Sequence, residues 1–307
     1  MIAKLLTQQI VVLFMIIGCG FLITKLGFVK TEDAKPLSML IVHMILPCGI
    51  LNGFLSGYTP EIRNGFLLAL VTAIIIHVLL ILLCRALNTC YSITDVERAS
   101  LIYTNSGNLI FPLVASVLGS EWVIYAAAFL CVQILFQWSH GLSLLSGTKL
   151  IDIKKILCNV NMIAAEIGIV VFFGRIPMPT ILRSFIGATG ASLGPMSMLT
   201  LGIMLAAVDW KSVLSSRRIY VLTALKMIVF PLILLLFLKY GGLAKLLPDG
   251  KGILLVSLLA VVAPSATTVA QIAQIYDRDA PYAGTINVAT TLVSIVTMPL
   301  MILLYTM

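Results

Sequence analysis

The sequence predicts an all-α integral membrane protein with ten transmembrane helices, and three observations support this fold class. Of the 307 residues, 60% are apolar and 10% are charged, whereas a soluble domain carries roughly 25% charged residues. Apolar runs of about 20 residues, the length that crosses a hydrocarbon core, recur along the chain with short loops between them. Two of these runs are interrupted by a proline among polar residues.

The predicted spans follow one another without an inserted soluble domain. They lie at residues 5–24, 36–56, 65–87, 96–118, 122–146, 157–173, 180–208, 218–239, 251–275 and 282–305. The first apolar run is too long for a cleavable signal and lacks a small-residue cleavage site, so it is predicted to be a span. The six cysteines show neither CxxC nor Cys/His ligand spacing, which indicates packing residues and no metal site.

Basic residues concentrate on one side of the predicted bundle, in the loops after the odd-numbered spans. These loops hold Lys25, Lys30, Lys35, Arg85, Arg98, Lys149, Lys154, Lys155, Lys211, Arg217, Arg218 and Arg278. The opposite side holds Lys4, Arg63, Arg175, Arg183, Lys239, Lys245 and Lys251. Since basic loops stay in the cytoplasm, we expect a multi-pass protein of the cytoplasmic (inner) membrane with both termini outside. The net charge of +8 follows from these loops and does not indicate a nucleic-acid partner.

The fourth predicted span contains a break. Its polar and small residues are Asn105, Ser106, Gly107 and Asn108, followed by Pro112. A proline lacks the N–H group and clashes with the carbonyl four residues back, so the helix must bend or stop there. In hydrocarbon each freed backbone group costs several kcal/mol, so such breaks occur where protein buries them or where they line a watery cavity. Transporters build binding sites near the membrane midplane in this way.

The ninth predicted span contains a second break, at Pro264 and Ser265. Pro47 and Pro195 are separated by 148 positions, and Pro112 and Pro264 by 152. A nearly constant offset is what an inverted repeat leaves in a diverged sequence. We therefore expect two five-helix repeats of opposite orientation, at residues 1–150 and 151–307.

Several motifs resemble those of the auxin efflux carrier family, which includes plant PIN carriers and bacterial malate and malonate permeases. Residues 105–112 (NSGNLIFP) resemble the first crossover of that family, and Pro264 with residues 270–277 (AQIAQIYD) resembles the second. Residues 226–231 (KMIVFP) are similar to its eighth helix, and residues 194–202 to its seventh. One departure is Ile110, which stands where the family usually has glycine.

The resemblance implies an architecture and an activity. The architecture is that of bile acid/sodium symporters and sodium/proton antiporters, with crossed, broken helices 4 and 9. Helices 1, 2, 6 and 7 would form a scaffold, and helices 3–5 and 8–10 a moving substrate domain. The implied activity is permease transport of a small organic anion, a mono- or dicarboxylate, by an elevator-type mechanism. A homodimer through the scaffold helices is a further arrangement that we consider.

The residue chemistry at the breaks suits an anion. Half-helix N-termini present unpaired N–H groups and positive dipole ends, and neither break contains lysine or arginine. Asn105 can hold a carboxylate or a water through its amide. In the alternative interpretation, Asn105, Ser106 and Asn108 only satisfy the backbone groups that Pro112 frees.

Polar faces on the fifth and tenth spans flank the breaks. They consist of Gln133, Gln137 and His140, and of Asn287, Thr290, Thr291 and Ser294. The first set falls at i, i+4 and i+7 and so shares one helix face. Two interpretations stay open: Gln133, Gln137 and Asn287 line the substrate cavity, or the polar faces form hydrogen bonds between helices.

Two charged residues, Glu166 and Lys226, lie at membrane depth, where a charge is costly. They could form an ion pair between scaffold and substrate domain, or Glu166 could carry a proton. Lys226 could instead snorkel to the membrane surface. The coupling ion, proton or sodium, is left open, and no cofactor is expected.

Other function classes fit less well. The sequence has no H-E-x-x-H zinc motif and no G-x-S-x-G elbow, which argues against a membrane enzyme. No extramembrane domain is predicted that a receptor would use to read a signal. A sodium-coupled organic-anion symporter of the same fold is the first alternative, and it ranks second because both breaks lack carboxylates.

Overall fold

The computed structural model describes residues 2–55, 57–147, 154, 157–208 and 216–307, and in these ranges the chain is helical throughout apart from turns and one isolated β-bridge. In chain order the helices are α1 Ile2–Lys25, α2 Thr31–Phe54, α3 Pro60–Cys90, α4 Asp95–Ile102, α5 Ser106–Val117, α6 Ser120–Ser146, α7 Val160–Gly174, α8 Thr180–Ala206, α9 Arg217–Tyr240, α10 Gly250–Val261, α11 Thr267–Ile275 and α12 Ala280–Thr306.

Seven of the helical stretches are long and apolar enough to cross a membrane. They are α1, α2, α3, α6, α8, α9 and α12. The predicted fourth, sixth and ninth spans correspond to shorter apolar helices, namely α5 with α4 before it, α7, and α10 with α11 after it. The all-α membrane class is thereby confirmed for the described residues, while the count of ten spans and the inverted repeat stay predictions.

The two predicted breaks are present, and they meet. The fourth span stops after Ile102 and resumes at Ser106, and the ninth stops after Val261 and resumes at Thr267. Between them an antiparallel bridge joins Thr104 to Ser265.

Two backbone hydrogen bonds hold the breaks together. The Asn105 N–H donates to the Pro264 carbonyl over 2.8 Å, and the Ala266 N–H donates to the Tyr103 carbonyl over 3.1 Å. Each broken helix therefore supplies partners for backbone groups that the other has freed, as burial in an apolar environment requires.

Three prolines follow a wider, π-helical turn. Such turns cover residues 41–45, 106–110 and 225–229, and the prolines stand two residues after them, at Pro47, Pro112 and Pro231. A proline removes one helical hydrogen bond and crowds the preceding turn, and a turn with i→i+5 bonding gives that ring room. Such π-bulges occur frequently at functional sites.

Glycines let the scaffold helices approach closely. A Cβ on Gly202 would lie 2.1 Å from the Ile17 carbonyl oxygen, and a Cβ on Gly20 would lie 2.3 Å from the Leu199 carbonyl oxygen. Small residues at helix contacts are the usual means of tight packing in membranes. Here they bring α1 and α8 together along much of their length.

The helices pack in two groups. In the first, α1 packs on α8, and α2 packs on α7 and α8; in the second, α3 packs on α6 and α10, and α12 packs on α9 and α11. The groups touch where α1 meets α12 and where α2 meets α6. The division into scaffold and substrate domains that the resemblance implies stays a prediction. The predicted boundary between residues 150 and 151 lies outside the described residues.

Candidate functional site at the helix crossing

Gln133 of α6 forms hydrogen bonds to the first break. Its side-chain Oε1 accepts from the Thr104 hydroxyl over 2.8 Å and from the Thr104 N–H over 3.3 Å, and its Nε2 donates to the Thr104 carbonyl over 2.7 Å. One amide thus satisfies both backbone groups and the hydroxyl of a residue in the break. Gln133 is buried behind the crossing.

Residues of α12 hold the second break in the same manner. The Ser265 N–H donates to the Thr290 hydroxyl oxygen over 3.1 Å, and the Asn287 amide donates to the Ser265 carbonyl. Gln137 of α6 adds a hydrogen bond to the Thr268 hydroxyl in the first turn of α11. Of the two interpretations of the polar faces, hydrogen bonding between elements therefore describes Gln133 and Gln137.

A small polar cavity of about 50 Å³ lies between the crossing and the scaffold helices α2 and α8. Its polar lining comes from Asn105, Asn108, Thr267 and Gln271 on the crossing side and from Ser38, Ser197 and Thr200 on the scaffold side. Asn105 and Asn108 were predicted from the sequence, and the other five were not. The spacing of Ser197 with Thr200 and of Thr267 with Gln271 could have shown that each pair shares a helix face.

Several polar atoms at this cavity have no protein partner in the described structure. Asn108 Oδ1 and Ser197 Oγ are buried without a hydrogen bond, although buried polar groups are nearly always paired. Asn105 stands at the N-cap position of α5, but its side chain makes no capping bond. The Ser197 hydroxyl and the Asn105 amide N–H groups can donate to an anion, whereas Asn108 Oδ1 can only accept, for example from water.

The electrostatics of the cavity come from the backbone. Both α5 and α11 begin at the cavity, with Asn105 and Thr267 at their starts. Two helix N-termini therefore direct positive dipole ends and unpaired N–H groups toward the same space. Among the described residues, no charged side chain lines it. This combination suits a carboxylate or another small anion.

Larger vestibules lie on both sides of the cavity. One, of about 360 Å³, is lined by Val208, Ala270, Pro281 and Asn287 and shares Thr267 with the small cavity. The other, of about 620 Å³, lies toward the opposite ends of the helices, with Gln9, Asn52 and Ser120 in its lining. The small cavity thus adjoins the first vestibule and is separated from the second.

Pro112 of α5 contacts the scaffold helix α8 beside the second vestibule. A Cβ on Gly194 of α8 would lie 2.7 Å from the Pro112 Cβ, so the scaffold backbone approaches the proline ring closely. Both residues line the larger vestibule. Pro112 and Gly194 thus form a close contact between α5 and α8 beside this vestibule.

The comparisons with known proteins identify a family. A family model described as a membrane transport protein matches residues 5–150 and 148–302, which together cover nearly the whole chain. The chain belongs to this family, the membrane transport family of the auxin efflux carriers. Members of the family are transporters. No curated protein matches the sequence significantly.

The other site residues that were predicted from the sequence lie around the crossing of the two broken helices. A Cβ on Gly107 would lie 3.4 Å from the Leu46 side chain, and the hydroxyls of Ser106 and Ser265 are buried without a hydrogen-bond partner among the described residues. None of these three lines the small cavity. Ile110, which stands where the family has glycine, is fully buried and also does not line the cavity.

The two charges at membrane depth do not meet. Lys226 is buried and donates to the Leu101 carbonyl over 2.8 Å and to the Tyr103 carbonyl over 3.4 Å. Glu166 is exposed on α7, and no ion pair joins it to Lys226 among the described residues. The interpretation of Lys226 as a snorkelling residue is excluded, because its ammonium contacts carbonyls inside the bundle.

A charged cluster joins α4, α9 and α12, and it was not predicted from the sequence. Glu97 is fully buried and accepts from the Arg218 guanidinium and, over 2.8 Å, from the Tyr282 hydroxyl. It also accepts from the Thr94 N–H over 2.7 Å, closing a capping box at the start of α4. The pattern Thr94-x-x-Glu97 was the available sequence signal.

Proposed function

We propose that the protein is a secondary transporter that moves a small organic anion, a mono- or dicarboxylate, across the cytoplasmic membrane. Family membership establishes a membrane transporter; the anion and the mechanism are the proposal. The observation that carries it is the cavity where two half-helix N-termini converge with unpartnered polar side chains. Neutral amides, hydroxyls and N–H groups can bind a carboxylate without an opposing lysine or arginine.

The proposed binding mode assigns the carboxylate to the small cavity. A space of about 50 Å³ holds a carboxylate group or a few waters, since one water needs at least about 10–15 Å³ by this kind of measure. The remainder of the anion would extend into the vestibule that Asn287 lines. Asn105, Asn108 and Gln271 would bind the carboxylate, and Ser197 would contact it from the scaffold.

An elevator-type movement is the proposed mechanism. The cavity lies on the contact between the two helix groups, with polar residues contributed by both. A displacement of the crossing along the scaffold would carry the carboxylate past Gly194 and expose it to the opposite vestibule. If the basic loops are cytoplasmic, the present state is open to the cytoplasm, because Val208 and Pro281 lie at the cytoplasmic ends of their helices.

Ligand binding and uptake test the proposal. Purified protein would be screened by thermal shift against mono- and dicarboxylates, with the corresponding amides and alcohols as uncharged controls. The carboxylate that stabilises most would then be followed as a radiolabelled substrate into vesicles containing the protein. We expect saturable uptake that the matched amide does not inhibit. Uptake of the amide and the carboxylate at equal rates would contradict an anion site.

A further inference from the structure

Lys226 occupies an unusual position for a lysine. It lies in the π-helical turn 225–229 of α9, and the residue is only 2% exposed. Its ammonium donates to the carbonyls of Leu101 and Tyr103. No carboxylate in the described ranges lies within ion-pair distance of it, although a buried charge is normally paired.

The carbonyls that bind Lys226 belong to the crossing itself. Leu101 lies in the last turn of α4, which ends at Ile102, so its carbonyl is at the negative end of the half-helix dipole. The Tyr103 carbonyl also accepts from the Ala266 N–H, which precedes α11. The ammonium thus contacts the first broken segment, and the Tyr103 oxygen links it to the second.

A dissolved cation would use a site of this kind. In transporters with broken helices, unwound carbonyls and half-helix C-terminal ends coordinate the coupling cation. Here an ammonium that is covalently part of the chain contacts those oxygens. Two residues after Tyr103, Asn105 lines the small cavity, so the oxygens that bind the Lys226 amine are close along the chain to the proposed anion site.

We propose that Lys226 is a built-in cation of the crossing. It neutralises the C-terminal end of α4 and supplies the counter-charge of the transported anion, so that anion binding needs no dissolved sodium. The part of this inference that concerns the anion rests on the proposed function. The part that concerns the cation rests only on the contacts of Lys226. Since Lys226 is buried, salt screens its charge less than it screens a charge at the surface.

Substitutions at Lys226 separate charge from hydrogen bonding. Lys226→Gln keeps a donor and removes the charge, Lys226→Arg keeps the charge, and Lys226→Ala leaves space for a small amine. Lys239→Gln is the matched control, because Lys239 lies on the same helix, donates to the Leu304 carbonyl over 2.9 Å and contacts neither break.

The first measurement is anion affinity in sodium-containing and in choline buffers. The parent and Lys239→Gln should bind the carboxylate equally in both. Lys226→Gln should lose roughly tenfold in affinity, the scale of a partly buried charge at a helix end, and Lys226→Arg should lose less. A parent that binds only with sodium, or a Lys226→Gln protein with parental affinity, would overturn the inference.

The second measurement needs no substrate. Ethylammonium should raise the melting temperature of Lys226→Ala, while ethanol at the same concentration should not, and neither should act on Lys239→Ala. Equal effects of the amine and the alcohol on Lys226→Ala would mean that filling the space left by the lysine stabilises the protein and that its charge does not, which would overturn the inference. If the amine rescues stability but the parent takes up no carboxylate, the proposed function fails and the role of Lys226 stands.

Discussion

At the scale of single residues, Asn105 has the most direct connection to the anion. Its backbone N–H is committed to Pro264, while its side chain faces the small cavity and makes no capping bond. The backbone of the residue thus maintains the crossing, and its amide is available for binding. Substitutions that change only the amide should therefore affect transport more than folding.

Three substitutions of Asn105 should differ in a set order. Asn105→Ala removes a hydrogen-bonding group and should weaken anion binding by roughly 0.5–1.5 kcal/mol. Asn105→Gln displaces the amide and should keep partial activity. Asn105→Asp should abolish transport while the protein folds well, because the helix dipoles that attract the substrate stabilise the new carboxylate.

Uptake and melting temperature, measured for the three variants beside the parent, test this order. Asn64→Asp, on α3 and outside the lining of the cavity, controls for an added carboxylate. An Asn105→Asp protein that transports as well as the parent would show that Asn105 does not contact the substrate.

Glu97 gives a stability prediction at the same scale. Arg218→Ala leaves a fully buried carboxylate with only the Tyr282 hydroxyl and the capping N–H as donors. We expect destabilisation of about 3 kcal/mol, the lower end for breaking a buried pair, because the Arg218 side chain is itself 40% exposed. The melting temperature of the purified protein measures it.

The neighbouring Arg217 is the natural control for that experiment. It is exposed at the start of α9, so Arg217→Ala should leave the melting temperature nearly unchanged. A similar loss in both variants would indicate an effect of loop charge and not of the pair with Glu97.

At the scale of elements, the contact between α8 and α5 sets how the cavity is closed. Gly194 faces the rigid ring of Pro112 at a distance that admits no side chain. Gly194→Val should force the two helices apart and slow transport at least several-fold, with anion affinity affected less. Uptake rates and affinities of the variant measure the two effects separately.

Gly18 of α1 provides the comparison for Gly194. A Cβ there meets no described atom within 4 Å. Gly18→Val should transport at nearly the parental rate. Parental rates in Gly194→Val would mean that this contact does not limit the movement.

The sequence predicted the features that depend only on residues near them in the chain. Pro112 and Pro264 remove hydrogen bonds from their own helices, so both breaks could be located from the residues alone. Asn105 and Asn108 were found because they lie in a break. Ser197 and Thr200 could not be found in this way, since they face the cavity only through the packing of α8 on the crossing.

The partner of Lys226 shows the same limit. A lysine at membrane depth requires a partner, and Glu166 was the available charge in the sequence. Its actual acceptors, the carbonyls of Leu101 and Tyr103, are available only because α4 ends there. Backbone acceptors of this kind carry no signature in residue type, so only the three-dimensional structure reveals them.

At the scale of the whole molecule, the two helix groups should move against each other. Cross-links between α8 and α5 should stop uptake, because they join scaffold to crossing. Cross-links between α3 and α6, which pack together in one group, should be tolerated. Cysteine pairs in a background without exposed native cysteines, assayed for uptake before and after reduction, test this. Full turnover in efficiently cross-linked α8–α5 pairs would indicate a fixed pore.

Sidedness is a separate prediction for the whole molecule. Lys30→Cys, in the loop before α2, should be protected in whole cells from an impermeant thiol reagent, and Leu246→Cys should be labelled. Both positions are exposed in the structure. The native exposed cysteines Cys19, Cys90 and Cys158 must first be replaced. The reverse labelling pattern would invert the assignment of the two vestibules.

The pairing of the two breaks also bears on biosynthesis. Pro264, which accepts from the Asn105 N–H, is synthesised 159 positions after it. The first broken helix therefore leaves the ribosome long before its backbone partner exists. Gln133, which lies in the next span and satisfies Thr104, is available much earlier. We therefore expect insertion of the first half to depend on the Gln133 side chain, which satisfies the break until the second half is synthesised.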